Sequence, residues 1–180
     1  MTDMTVVDGQ LEHVGDHWQL RFVRSLPHPP EKVWEALTQS EHLKAWFPTD
    51  IIGERAPGAP LRFEFRNNEG PPFDGEMLVH DPPKRLEFRW GPDTLRFELE
   101  PDGDGCRLIL VDVLEEKGKA ARDAGGWHVC LEALAHDLDG DPEARKQMER
   151  WDEVHPAYVE RFGPDAATIG PPESQTGTNG

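Results

Sequence analysis

The sequence predicts an α+β domain in which a curved antiparallel β-sheet wraps a long C-terminal helix, with two short helices after the first strand. Between residues 49 and 114, short runs alternate apolar and charged side chains and are parted by turn strings such as RAPGAP, NNEGPP, HDPPK, WGPD and PDGDG. That is the pattern of a strand meander with one apolar and one wet face. From 119 to 138 the apolar residues recur instead at i, i+3 and i+4, an amphipathic helix whose stripe needs covering. A chain of 180 residues with 36% hydrophobic content has material for one core. The two apolar faces, that of the sheet and that of the helix that carries Trp127, therefore meet.

Residues 1–16 are read as an N-terminal extension and 17–140 as the domain. In HWQLRFVRSL, Leu20, Phe22 and Leu26 alternate with polar neighbours, a half-buried first strand. Pro29 and Pro30 precede EKVWEALT, where proline suits a helix start and Val33, Trp34 and Leu37 share a face. SEHLKAWF then forms a second short helix, with Ser40 as N-cap, Glu41 in the first turn and Pro48 as its stop. The clearest meander strands are LRFEFR, RLEFRW and TLRFELE, which place Leu61, Phe63, Phe65, Leu86, Phe88, Trp90, Leu95, Phe97 and Leu99 inward. Their outward Glu87, Arg89, Arg96 and Glu98 suit cross-strand ion pairs. CRLILVDVL is aliphatic on both faces, which leaves the direction of Asp112 open. The long helix carries Trp127, Cys130, Leu131, Leu134, Ala135 and Leu138 on its stripe. Gly125 and Gly126 within it each cost about 1 kcal/mol of helix propensity, so a close backbone approach or a bend is expected there. Asp141 and Pro142 open a further helix over 141–162, with Met148, Trp151, Val154 and Tyr158 on one face. That helix packs on the domain's own surface, covers a cavity mouth or makes a dimer contact. The stretch 163–180 reads as a disordered tail.

Charge and composition remove several function classes. With 35 acidic and 19 basic residues the formal charge is −16, which repels phosphate backbones and anionic membrane surfaces. Neither nucleic acid nor membrane is an expected partner of this acidic protein. Cys106 and Cys130 are too few for a disulfide framework and sit in apolar patterns as core thiols. No Cys/His spacing of zinc type occurs, and no metal or other cofactor is expected. No basic leader and no apolar run of membrane-spanning length is present, so the cytoplasm is the expected location.

The order of strand, two short helices, meander and long helix resembles the helix-grip fold of the START-like, or SRPBCC, superfamily. Three strings narrow the resemblance to its branch named after the activator of heat-shock-protein ATPase: RSLPHPPEKVWEALTQSEHLKAWF, HDPPKRLEFRW and GGWHVCLEAL. The element order and these strings together cover about residues 17 to 140 in the order expected of that branch. The resemblance implies a cavity between sheet and helix that in relatives holds lipids, hormones, aromatic polyketides or other small apolar molecules. It does not choose among carriers, cyclases, hydroxylase domains and domains without a ligand. The eukaryotic co-chaperones of the branch carry a further N-terminal domain with no counterpart among these residues, so a chaperone partner is only thinly implied.

The expected lining is Trp34, Trp46, Phe63, Phe65, Phe88, Trp90, Phe97, Trp127 and Leu131. Core packing accounts for any one of them, but as a set these stiff rings suit a small-molecule pocket with few polar anchors. His80, Asp112 and His128 are the titratable residues of that region. A histidine beside a carboxylate is a potential general base, although His128 follows Trp127 and so points about 100° away around the helix. No GxSxG elbow, HExxH pair, P-loop or dinucleotide fingerprint occurs. The leading expectation is a binding module for a small apolar or aromatic molecule rather than an enzyme. The alternatives are a polyketide cyclase or dehydratase-like enzyme using Asp112 or His80, and a chaperone-linked or regulatory domain acting through its surface.

Overall fold

A computed structural model describes residues 7–66, 70–141 and 150–169. Its strands are β1 (Gln10–Val14), β2 (His17–Leu26), β3 (Thr49–Ile52), β4 (Pro60–Phe65), β5 (Phe73–Asp81), β6 (Arg85–Trp90), β7 (Asp93–Asp102) and β8 (Gly105–Leu114). They form one antiparallel sheet in the order β1-β2-β8-β7-β6-β5-β4-β3. Helices α1 (Pro30–Thr38) and α2 (Ser40–Trp46) carry the chain from β2 to the far edge strand β3. The long helix α3 (Ala120–Leu138) follows β8, and α4 (Trp151–Phe162) follows α3.

Alternation decides which side chains face α3. On β7, Asp93, Leu95, Phe97 and Leu99 are all buried while their neighbours Thr94, Arg96 and Glu98 are half-buried. On β8 the inward set paired with them is Leu108, Leu110 and Asp112, so Asp112 points to the core. It is 1% exposed and stands opposite Leu20 on β2 and Leu95 on β7. The other face of β8 is aliphatic as well because Ile109 and Val111 lie in register with Glu98, Arg96 and Arg21, whose long stems shield them.

α2 is capped at its far end by Arg66, whose guanidinium donates to the carbonyls of Leu43, Phe47 and Thr49 and to Asp50 Oδ1 at 2.8–3.2 Å. This fork satisfies carbonyls that a helix leaves open at its C-terminus and fixes Phe47 at the head of β3. At its other end α2 has Gln39 as N-cap with no side-chain cap bond. The expected Ser40 cap is thus corrected: Gln39 takes the extended cap conformation and Ser40 is the first helical residue.

α4 packs on the outer side of α3. A Cβ on Gly125 would stand 3.1 Å from Trp151 Nε1 and 3.4 Å from His155 Cα, so the missing side chain is what lets the two helices approach. Val154 and Tyr158 of α4 are fully buried. The Tyr158 hydroxyl accepts the Gly9 N–H at 3.0 Å and lies 2.8 Å from His128 Nδ1, which ties the N-terminal stretch, α3 and α4 together. The start expected for this helix over 142–149 lies outside the described residues.

Beyond α4, Pro164–Ala166 form a 3-10 turn, Ala166 is buried and Ile169 N–H donates to Gly118 O at 3.1 Å. Residues 170–180 lie outside the described residues. The expected cross-strand ion pairs are corrected in part: the shorter pairs run along strands, as Arg62–Glu64, Arg85–Glu87 and Arg96–Glu98 at 2.8–2.9 Å, because i and i+2 share a face. The cross-strand pairs Arg89–Glu76, Arg107–Glu100 and Arg62–Asp74 are longer, at 3.9–4.0 Å.

The two helix glycines give a paired prediction. Nothing among the described residues lies within 4 Å of a Cβ placed on Gly126, so Gly126→Ala should raise stability by about 0.5–1 kcal/mol through helix propensity. Gly125→Leu should cost about 1–3 kcal/mol by forcing α4 outward. Urea unfolding monitored by circular dichroism checks both, and equal effects at the two positions would contradict the close approach.

Candidate functional site

The inner faces of β4 to β7, α2 and α3 bring together a continuous set of aromatic rings. Trp90 is its centre, with ring centroids 4.8 Å from Phe63, 4.8 Å from Phe73, 5.1 Å from Phe47 and 5.8 Å from Trp127. Phe47 joins Trp46, Phe88 and Trp127 at 5.2–6.3 Å, and Phe97 meets Trp46 and Phe88 at 6.1–6.3 Å. These are contact distances for edge-to-face and offset pairs. The interior wall is therefore closed ring upon ring. Gly75, opposite Trp90 in the β5–β6 register, lets the β6 backbone and Phe63 approach: a Cβ there would overlap Arg89 O and lie 2.6 Å from the Phe63 ring. Trp46, Phe47, Phe63, Phe88 and Phe97 are buried, whereas Phe65, Phe73 and Trp90 are only half-buried. The set thus opens toward solvent at one end, where Phe65 meets Phe73 at 5.9 Å.

Behind Trp127 the site turns polar. Trp127 Nε1 donates to Asp112 Oδ2 at 2.9 Å, joining α3 to β8. Asp93, at the first inward position of β7, accepts from Lys119 Nζ at 2.7 Å and from the Glu115 N–H at 3.0 Å. Asp93, Asp112 and Asp123 bring one carboxylate oxygen each to within 4.8 Å of one another. Burial, reinforced by the Asp93 and Asp123 charges, holds the Asp112 carboxyl well above the usual carboxylate range. Burial also lifts Asp123, against the opposing pull of Arg122 at 2.8 Å. Lys119 is drawn down by burial, but its bond to Asp93 and the three negative charges prevail and raise it.

The remaining expected residues divide by position. Trp34 is buried on α1, and its ring neighbour is the half-buried His80 at 5.4 Å; neither belongs to the Trp90 set. Leu131 is buried one turn beyond Trp127 on α3. His80 and Asp112 do not form a pair: the register His80, Leu86, Phe97, Leu110 places His80 three strand spacings from β8, about 14 Å. His128 faces α4, bound to Tyr158 and 3.5 Å from Glu132. Phe47, Phe73, Asp123 and Lys119 lie outside the residues the sequence pattern singles out. Asp93 has a visible signal, since it stands two residues before Leu95 in an alternating run, although WGPD reads as a turn. Both cysteines are buried as expected, and burial pushes the Cys130 thiol up to about 12, which leaves it inert as a nucleophile.

An antiparallel sheet of eight strands closed over a long C-terminal helix, with two short helices after β2, defines a helix-grip domain of the START-like, SRPBCC class. Within that class, the chain belongs to the family described as Activator of Hsp90 ATPase homolog 1-like protein, which matches residues 27–139. Solved structures share the fold. A conserved protein of unknown function from Enterococcus faecalis is 20% identical with a TM-score of 0.71, over 86% of this chain and 90% of that one. CalU16 from Micromonospora echinospora is 23% identical with a TM-score of 0.66, over 86% of this chain and 99% of that one. DynU16, a protein in the dynemicin biosynthetic locus, is 28% identical with a TM-score of 0.61, over 69% of this chain and 48% of that one. No curated protein matches the sequence.

The Trp127–Asp112 bond is testable apart from any ligand. Trp127→Phe keeps most of the ring but removes the donor to a buried oxygen, and should cost about 2 kcal/mol. An unchanged urea midpoint would show that the bond contributes nothing.

Proposed function

We propose that the protein binds a small apolar or aromatic molecule between the sheet and α3, at the half-buried rings Phe65, Phe73 and Trp90. The observation that carries this reading is the run of mutually touching rings from Trp46 through Phe47 and Trp90 to Phe73, buried at one end and solvent-facing at the other. Because the rings close on each other, a ligand is admitted by displacing the half-buried ones and gains ring-face contacts in return. The place of DynU16 in a biosynthetic locus supports a small-molecule ligand over a chaperone partner.

Holding the molecule fits the geometry better than transforming it. Asp112 is engaged by Trp127, His80 packs on Trp34, and His128 faces α4. None of the three stands at the half-buried rings, where a cyclase or dehydratase would need its proton-moving group.

Titration of the protein with a panel of polycyclic aromatic ketones and long-chain alcohols, followed by tryptophan fluorescence, tests the proposal. Saturable quenching is expected with at least one compound, and Trp90→Ala should weaken it about tenfold, equal to about 1.4 kcal/mol, with the circular dichroism spectrum retained. Quenching that never saturates, or that is indifferent to both Trp90→Ala and Phe73→Ala, would remove the site from consideration.

A further inference from the structure

Three carboxylates gather behind Trp127 with two cations to answer them. Lys119 is paired with Asp93 and Arg122 with Asp123, so one negative charge, that of Asp112, is left over. Asp112 is also the most enclosed of the three, at 1% exposure and flanked in the sheet by Leu20 and Leu95. Its Oδ2 receives the Trp127 indole N–H, while its Oδ1 is buried without a donor among the described residues. Asp112 and Asp93 each bring a carboxylate oxygen to within 4.8 Å of the other's, which leaves two acceptor groups side by side unless something positive sits between them.

We infer that Asp112 is held as a neutral carboxylic acid that donates its proton to Asp93, forming a buried latch that fixes Trp127 of α3 to β8. The proton satisfies the orphaned oxygen and balances the leftover charge at once. A divalent cation fits less well, because Asp93 Oδ1 is already taken by Lys119 Nζ and the Glu115 N–H, and two added charges would overshoot the one that is missing. Among the described residues the charged groups around Asp112 are Asp93 from β7, Asp123 from α3, which Arg122 pairs, and Lys119 from the 3-10 turn Lys117–Lys119. The β2 side is apolar.

The direction of the pH dependence follows. The Asp112 pKa is raised on folding by burial and by the neighbouring carboxylates, so the folded state holds a proton that the unfolded chain releases near its ordinary value of about 3.9. The stability this proton contributes is whole below that value and is lost as pH rises through the folded pKa. Asp123, raised as well, acts in the same direction. Any loosening of Trp127 at high pH that weakens ligand affinity rests on the binding site proposed above; the proton itself does not.

Asp112→Asn keeps an oxygen for the indole and supplies a permanent N–H donor toward Asp93. Its Tm should exceed that of the unmodified protein at alkaline pH by about 3 °C or more, with the gap closing toward acid. A gap independent of pH, or an Asn variant less stable at every pH, would overturn the inference. Infrared difference spectra of aspartate-labelled protein at neutral pH give a second reading that needs no ligand. A protonated carboxyl band is expected in the unmodified protein and in Asp123→Asn. Its absence from the unmodified protein, its loss in Asp123→Asn, or calorimetric binding of Mg2+, Ca2+ or Mn2+ that Asp112→Asn abolishes, would each overturn it. Retention of the band in a protein that binds none of the aromatic panel would uphold the latch while removing the ligand site.

Discussion

The bond from Trp127 Nε1 to Asp112 Oδ2 is the constraint on which the arrangement of sheet and helix turns. Apolar burial drives α3 onto the sheet but is non-directional; it would accept a small slide or roll of the helix. A single hydrogen bond between a buried indole and a buried carboxyl does not, because leaving either group unpaired in a dry interior is costly. The bond therefore sets where the Trp127 ring stands, and through it where Phe47 and Trp90 stand, each 5.8 Å away.

That position matters because the ring set has a gradient of burial. Trp46, Phe63, Phe88 and Phe97 are locked by their neighbours, and Trp46 also by the bond from its Nε1 to Ala36 O at 2.8 Å. Phe65, Phe73 and Trp90 have solvent on one side. Stiff rings at the inner end and looser ones at the outer end give an apolar wall that yields in one direction only. α4 contributes from behind, holding α3 through Gly125 and Tyr158 rather than reaching the rings.

How much of this could be read from the residues differs by element. Strands β2, β4, β6 and β7 and helices α1 and α3 were legible because their buried faces keep a strict period. β5 was not, since FDGEMLVHD has one fully buried residue, Met77, and its register shifts between Met77 and Val79. β3 is four residues long and β1 is an edge strand with little buried surface, so neither leaves a pattern. The aromatic lining is half legible: Phe47 reads as the end of a helix, and Phe73 opens a strand that carries no alternation. Asp112 was visible as an anomaly in an aliphatic run, but its direction depended on the stems of Arg21, Arg96 and Glu98 across the sheet, which sequence spacing does not report.

The ion pairs on the outer face carry a consequence for how the sheet finds its register. Arg62–Glu64, Arg85–Glu87 and Arg96–Glu98 each join two residues of the same strand. A strand that slipped by two positions would carry such a pair along intact, so these three pairs exert no preference among alignments, and the long, exposed cross-strand contacts at 3.9–4.0 Å exert only a weak one. The choice falls chiefly to the inner face, where a slip of β8 would carry Asp112 away from its indole and set a carboxyl among leucines. Solubility and alignment are thus written largely on opposite sides of the same strands, and most charges of the wet side are free to change without disturbing the order of the dry one.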